Sequence, residues 1–299
     1  MKRIEKPLAL QTTLRLGGSP RHQFRMEAQD DFSALRPFVR DSAMGLRVLG
    51  GGANLLAADG ELDATVISLE PEDIRIEGQH LFTGTGNSII QAVQAAGKAG
   101  LAGLEWATAV PGTWGGALTM NAGAYGSETG TVVEWAEVLT PDFSVVRVPA
   151  REVTWNYRHT TWPVPVLLFL RAALRLVPGD SAAIKQRQLE ITRERNSKFP
   201  KAPCAGSVFK NPPGDKAGRL LEACGLKNAA LGGAKVSEEH ANIFINRGGT
   251  ALDMIRLIVH ARRAVERHSG VRLEPEVVLW DALSYDDWEE SLKDEPAPF

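Results

Sequence analysis

The chain has 299 residues, 43% hydrophobic and 23% charged, the balance of a folded globular protein with room for two or three cores. A net charge of -2 supplies no basic footprint for nucleic acid, and the most apolar run, "VPVLLFLRAALRLV", is broken by Arg171 and Arg175 and is too short to span a bilayer. The two cysteines, Cys204 and Cys224, build no disulfide framework and point to a reducing, cytoplasmic setting, while the basic start "MKRIEKPLAL" lacks the apolar stretch of a secretion signal.

In chain order, "GLRVLGGGANLL" predicts a strand ending in a glycine turn, "ATVISL" a second strand, and "IRIEGQHLFTGTG" a hairpin turning at Gly78 and Gln79. A helix is predicted over 87–97: Ile89, Ile90, Val93 and Ala96 share a face, Asn87 serves as cap, and Gly97 or Gly100 as stop. The stretch "AVPGTWGGALTMNAGAYGSE" follows, reading as turns. Strands are expected in "TVVEWAEVLT" and "VVRVPAREVTWNYR", and a buried strand over 164–174. The polar segment after Pro178 predicts a helix over 181–196 and marks a domain junction. Beyond it come a helix over 215–224 stopped by Gly225, a strand in "ANIFINRGG", and a helix in "TALDMIRLIVHARRAVERHSG" with Thr250 as N-cap and Asp253 three residues on. "VRLEPEVVLW" reads as a strand that Pro275 pushes toward an edge, and the acidic tail from Asp281 as a solvated end. Unevenly alternating short strands and helices argue for α+β domains.

Glycine costs backbone entropy on folding, so the clusters need a reason. "LGGGANLL" places three glycines after a strand, and successive N–H groups in such a turn form a concave nest for anions. "VPGTWGGALTMNAGAYG" adds a second set, with Thr113 and Asn121 as hydrogen-bonding side chains. Each alone is an ordinary turn. Together, with no Walker lysine and no G-x-G-x-x-G at a strand-to-helix turn, they suggest a pyrophosphate and a flat ring lying against bare backbone.

The chain resembles the UDP-N-acetylenolpyruvoylglucosamine reductase (MurB) family. "TTLRLGGSP", "LGGGANLL", "GLEWATAVPGTWGGALTMNAGAYG", "YRHT", "AGSVFKNP", "AGRLLEACGLKN", "GGAKVSEEHANIFIN" and "LEPEV" occur in the family's order, over roughly residues 12 to 280. The short spacing between "YRHT" and "AGSVFKNP" resembles the compact form, without the extra substrate-covering insertion. The resemblance implies an α+β fold: a two-subdomain FAD-binding module of the vanillyl-alcohol-oxidase (PCMH-type) kind, over 1–72 and 73–178, joined by a helical linker to a C-terminal α+β substrate domain over 198–299. It implies a flavin-dependent reductase of peptidoglycan precursor synthesis. NADPH reduces FAD, then UDP-N-acetylglucosamine enolpyruvate takes a hydride on its terminal carbon and a proton on the carbon bearing the carboxylate. The partner is this small molecule, with no nucleic acid, membrane or metal.

The cofactor contacts implied are Gly50, Gly51, Gly52, Ala53, Asn54, Leu55, Pro111, Gly112, Thr113, Gly115, Gly116, Asn121, Gly123 and Ala124. The resemblance assigns three catalytic residues. Arg158 in "YRHT" holds the carboxylate, since a guanidinium grips it bidentately and never deprotonates. Ser207 in "AGSVFKNP" delivers the proton, where positioning outweighs the hydroxyl's weak acidity. Glu276 in "LEPEV" helps hold the enediol-like charge. Read alone, Arg158 is a surface charge at a strand end, Ser207 a turn or N-cap serine, and Glu276 a solvent-facing strand residue.

Tyr157, Lys210, Asn211 and Lys198 are the substrate-contact candidates. Tyr157 otherwise packs as a strand aromatic, Asn211 and Lys210 otherwise cap the next helix, and the compact form often carries glutamine at the position of Lys198. His240 reads as a hydrogen-bonded structural histidine. Trp114 replaces a smaller residue usual in the family's turn and is expected to alter the wall near the flavin. Two rivals stay open. One is another flavin oxidase of this fold, which often tethers flavin through a histidine or cysteine that the glycine loops here lack. The other is a catalytically silent UDP-sugar or flavin binding protein.

Overall fold

A computed structural model describes residues 1–295. The chain divides into two compact units. The first comprises Met1–Ile4, His22–Gly51 and Thr65–Ser197, the second Glu5–Arg21, Gly52–Ala64 and the chain from Lys198 onward.

The first unit holds a five-stranded antiparallel sheet in the order Val145–Pro149, Val133–Leu139, Leu168–Arg175, His80–Gly84, Arg75–Glu77. The hairpin turns at Gly78, whose φ of 60° is one that glycine adopts without strain. Against the sheet lies the helix Ile89–Lys98, burying Ile89, Ala92, Val93 and Ala96 beside Leu81, Leu118 and Leu174. Its cap is Ser88, in a capping box with Gln91, rather than Asn87. Asn87 is buried and tied to the Glu72 backbone, accepting from its N–H at 2.7 Å and donating to its carbonyl at 2.6 Å. A second sheet orders Lys2–Arg3, Ser19–Met26, Glu61–Leu69 and Leu46–Val48; its part in this unit, residues 2–3, 22–26, 65–69 and 46–48, lies over a small core of Phe24, Met26, Phe32, Leu35 and Ile67. The apolar run expected as a strand over 164–174 pairs only from Leu168, because Pro163 and Pro165 cannot donate to a ladder. The glycine-rich stretch contains a short helix, Trp114–Met120, that turn residues alone did not suggest.

The second unit is built on an antiparallel sheet in the order Cys204–Ser207, Ile243–Asn246, Ala234–Val236, Ala230–Leu231. The helix Ala251–Ser269 covers it. Thr250 and Asp253 form its capping box, and Gly270, at φ 71°, ends it in the left-handed conformation. Its inner face buries Met254, Ile255, Leu257, Ile258 and Val265 with Phe209, Leu221 and Phe244. Each such side chain contributes about 1.5–3 kcal/mol relative to exposure. The segment expected as a long strand near Pro275 regularises only at Val278–Trp280, which pairs in parallel with Leu55–Ala57.

The acidic tail departs most from expectation. Residues Tyr285–Ser291 form a helix capped by Ser284 and Asp287, and Tyr285, Trp288 and Leu292 pack onto the core. Their spacing places all three on one helical face. Two of the tail's acidic residues, Asp286 and Glu289, meet arginines. Arg262, only 4% exposed, donates to Asp286 at 2.7 Å and to Glu289, and Arg272 reaches the same two carboxylates at 3.1 and 2.9 Å.

Hydrogen bonding from Arg262, aided by the charge of Arg272, holds the Asp286 carboxyl below the usual carboxylate range. A depressed native pKa stabilises the fold fully above the unfolded value near about 3.9 and ceases to do so as pH falls through the native value. Thermal melts from about pH 5 downward are therefore expected to show a shallower acid loss for Asp286→Asn than for wild type. Equal slopes would remove the pair from the acid response.

Candidate active site

Within the first unit the two glycine stretches meet backbone to backbone. A Cβ on Gly51 would lie 2.6 Å from Gly112 Cα, and one on Gly50 would lie 2.6 Å from Thr113 Oγ1. A side chain at Gly51 must move the loops apart, whereas one at Gly50 need only turn the Thr113 hydroxyl aside. Gly50 and Gly51 are exposed at this contact, so the main chain itself forms the surface. Thr113 Oγ1 is buried and has no hydrogen-bond partner in the protein. Among the described residues the N–H groups of Gly50, Gly51, Gly112 and Thr113 make no backbone hydrogen bond. Unmet donors in consecutive residues are the anion nest that a nucleotide's pyrophosphate requires. Pro111 and Gly116 are exposed, whereas Gly115 is pinned by its N–H to the Thr85 carbonyl at 2.9 Å.

Asn121 lies beneath this surface. It is fully buried at φ 42°, its amide donating to the Asn156 carbonyl at 3.1 Å and accepting from the Gly130 N–H at 3.0 Å. Its side chain therefore supports the loop and presents nothing to a ligand. Trp114 is likewise fully buried, in the core beside Leu118, so it forms no wall of the site. Both residues read from sequence as ligand-facing because their neighbours are glycines.

Arg158 occupies the turn of a tight hairpin, Thr154–Asn156 with His159–Thr161, at φ 56°. A left-handed arginine is strained relative to glycine, a cost that clusters at functional positions. Its Nη2 donates to the Gly123 carbonyl at 3.1 Å, and the guanidinium lies 4.8 Å from the Tyr157 ring centroid. The hairpin thus joins Arg158 to the Gly123–Ala124 strand and leaves Tyr157 48% exposed beside it.

In the second unit, four separated segments are tied together around Ser207. The Glu276 N–H donates to the Val208 carbonyl at 2.7 Å, which sets Glu276 beside the Ser207–Val208 peptide. Asn54 donates its side-chain amide to the Glu276 carbonyl at 2.9 Å, and its own carbonyl accepts from Val278 N–H at 3.1 Å. Gly52 carries φ 59°, and a Cβ there would lie 2.3 Å from the Gln11 carbonyl oxygen. Leu55 is buried, pairing with Val278. Gly52 and Leu55 thus offer backbone rather than side chain, and Asn54 spends its amide on Glu276.

The substrate candidates fare differently. Lys210 forms an ion pair with Glu274 at 2.6 Å, and its N–H donates to the Glu274 carbonyl. Asn211 accepts from the Ala217 N–H at 3.0 Å, so it caps the helix Ala217–Ala223, as its alternative reading held. Lys198 is exposed, the last residue of the helix Ser181–Lys198. His240 accepts at Nδ1 from the Asn242 N–H, and burial lowers its pKa, consistent with a neutral structural ring. Among the described residues no three His, Cys, Asp or Glu side chains gather as a metal site, and no helix is long and apolar enough to cross a membrane. Sequence reading passed over Thr13, which donates to the Cys204 carbonyl at 2.7 Å. The signal was its place in "TTLRLGGSP", a motif with no function attached to it.

Residues 20–149 match the model of an FAD binding domain. The nest, the orphaned Thr113 hydroxyl and the bare glycines fit the phosphates of such a nucleotide. Gly51→Ala must part the two loops, so the purified variant is expected to carry less than about a tenth of the wild-type flavin absorbance. Full loading would show that the approach of Gly51 to Gly112 does not matter. Residues 198–280 match the C-terminal domain of UDP-N-acetylenolpyruvoylglucosamine reductase. The chain is 40% identical to the enzyme of that name from Moorella thermoacetica, over 92% of each chain. It is 39% identical to that from Rubrobacter xylanophilus, over 92% of this chain and 94% of the relative. The crystal structure of UDP-N-acetylenolpyruvylglucosamine reductase (MurB) from Thermus caldophilus superposes with a TM-score of 0.79 at 32% identity, covering 94% of this chain and all of that one. An FAD-binding domain followed by this C-terminal domain, with such identity along nearly the whole length, makes the chain a member of the UDP-N-acetylenolpyruvoylglucosamine reductase (MurB) family.

Proposed function

We propose that this chain reduces UDP-N-acetylglucosamine enolpyruvate to UDP-N-acetylmuramate with NADPH, a step of peptidoglycan precursor synthesis. The observation that carries the reading is the assembly of Ser207, Glu276 and the Gly52–Asn54 loop by backbone hydrogen bonds within one unit, in a chain of this family. Gly51, Gly112 and Thr113 would hold FAD, which would supply hydride chemistry for the alkene's terminal carbon with NADPH as the source.

The protein's own residues handle charge and protons. Arg158 holds the substrate carboxylate, into which hydride addition pushes negative charge, and a fixed guanidinium there stabilises the transition state more than the ground state. Its contacts with the Gly123 carbonyl and the Tyr157 ring pre-orient it. Ser207 delivers a proton from its hydroxyl to the carbanion-like carbon. A hydroxyl is a weak acid, yet the receiving carbon is a strong base, so geometry decides the rate. Glu276, held by its N–H against Val208 and by its carbonyl on Asn54, helps hold the enediol-like oxygens, as a carboxylic acid that donates or through an oriented water. Tyr157, Lys210 and Lys198 contribute contacts to the nucleotide sugar, with Lys210 leaving Glu274 to meet the diphosphate. Asn211 acts through the helix that it caps.

Anaerobic half-reactions test this reading. The yellow enzyme is expected to bleach with NADPH and to regain its colour, without air, on addition of the enolpyruvyl sugar. Ser207→Ala should bleach normally and recover slower by about 10²-fold or more, within the range of general acid contributions. Recovery of Ser207→Ala at the wild-type rate removes Ser207 as proton donor. Faster reaction of the reduced enzyme with oxygen than with the sugar would favour a flavin oxidase instead, and a wild-type enzyme inactive in both halves would favour a binding protein.

A further inference from the structure

Ser207 stands at an irregularity that two side chains bracket. Along the strand Cys204–Ser207, Cys204 faces Ile245 while Ser207 faces Ile243, so three steps on one strand oppose two on the other. The extra residue makes a β-bulge, and Gly206 within it has φ 78°. Bulges turn the following side chain away from the direction that simple alternation assigns it. Downstream, buried Asn242 clamps the backbone: its Oδ1 accepts from Phe209 N–H at 3.0 Å and its Nδ2 donates to the Phe209 carbonyl at 2.8 Å. Upstream, the Thr13 hydroxyl donates to the Cys204 carbonyl at 2.7 Å. Thr13 also donates its N–H to the Gly52 carbonyl at 3.0 Å, and the next two carbonyls, of Leu14 and Arg15, accept from Asn246 Nδ2 at 3.1 and 3.4 Å. One short turn thus fastens the Gly52 loop to the strand that carries Ser207.

We propose that Thr13 is a positioning residue for proton delivery: its hydroxyl pins the Cys204 end of the bulge and fixes where the Ser207 hydroxyl stands relative to the Gly52 loop. This rests on the reading of Ser207 as proton donor. Thr13 itself is exposed, and its one hydroxyl proton serves the Cys204 carbonyl at 2.7 Å with the Gly52 carbonyl farther off at 3.4 Å, too little to decide whether the domain folds. A small displacement of a proton donor, in contrast, slows the step that it serves. Replacing the hydroxyl leaves the Thr13 N–H bond to Gly52 intact, so the cofactor loop keeps its backbone tie.

Stopped-flow half-reactions of the flavin-loaded enzyme test the proposal. Thr13→Val, which keeps the branched shape without the hydroxyl, is expected to bleach with NADPH within about twofold of wild type and to be reoxidised by the enolpyruvyl sugar roughly tenfold slower. Thr13→Ser restores the hydroxyl and should reoxidise within about twofold of wild type. Gly206→Ala, whose Cβ meets nothing within 4 Å but whose φ disfavours a side chain, should reproduce the selective slowing. Thr13→Val should add nothing to Ser207→Ala, because both act at one hydroxyl. The proposal is overturned if Thr13→Val slows both halves equally or neither, if Thr13→Ser is as slow as Thr13→Val, if Gly206→Ala reoxidises at the wild-type rate, or if the Thr13 and Ser207 effects multiply. A Thr13→Val protein that takes up no flavin overturns it too, since Thr13 then serves the cofactor loop. Wild-type reoxidation by Ser207→Ala alone instead sinks the proton-donor reading, whatever Thr13 does.

Discussion

Everything at the cofactor surface depends on main chain approaching main chain with no side chain between. Gly51 comes so near Gly112 that a methyl group would sit 2.6 Å from its Cα, while one on Gly50 would meet only the Thr113 hydroxyl, also at 2.6 Å. Such contact leaves the N–H groups of both loops without internal acceptors, a state that costs free energy unless water or a ligand meets them. The glycines are therefore less a source of flexibility than a means of exposing donors. A flavin nucleotide, carrying a pyrophosphate and a flat ring, matches what that surface offers. The supporting residues are satisfied: in the first unit buried Asn121 under one loop, and in the second half-buried Asn54 with its amide on Glu276.

The second unit solves a different problem. On the proposed reading Ser207 delivers a proton, and the chain brings its surroundings together from distant segments. Backbone bonds join Val208 to Glu276 and Gly52 to Thr13, the side-chain amide of Asn242 grips the Phe209 backbone, and the bulge at Gly206 turns the serine out of strand alternation. Beneath lies a continuous core in which Leu14, Leu16 and Leu56 from early in the chain pack with Phe209, Phe244 and the long helix. Interlocking of this kind explains why early segments Glu5–Arg21 and Gly52–Ala64 belong to the same unit as the C-terminal domain. A linear division of the chain at single boundaries could not express it.

The family, the flavin and the reductase chemistry were legible from motif order, because glycine spacing and the flanking residues recur as a set. Local signals were equally readable where physics is local. The capping box at Thr250 and Asp253, the stop at Gly270 and the hairpin at Gly78 each depend on a few neighbouring residues. Reading failed where a side chain's partner lies far away in sequence. Asn87 resembles a helix cap but spends its amide on Glu72, and Trp114 resembles a pocket wall but fills the core. The acidic tail resembles a solvated end because the apolar face of Tyr285, Trp288 and Leu292 is sparse and its arginine partners, Arg262 and Arg272, precede it in the chain.

By itself, then, the order of residues determined which chemistry the chain carries: a backbone-lined nucleotide surface, an α+β frame, and an arginine, a serine and a glutamate in recognisable settings. These follow from backbone permissiveness and from side-chain chemistry, which belong to the residue and its nearest neighbours. Only the tertiary structure decided which polar groups face a ligand and which are consumed by the fold. A hydrogen bond has one direction and limited capacity, so the amides of Asn54, Asn121 and Asn211, once committed to backbone partners, hold the site without presenting those groups to it. Such commitment is a property of proximity in space, and the one-dimensional chain does not record it.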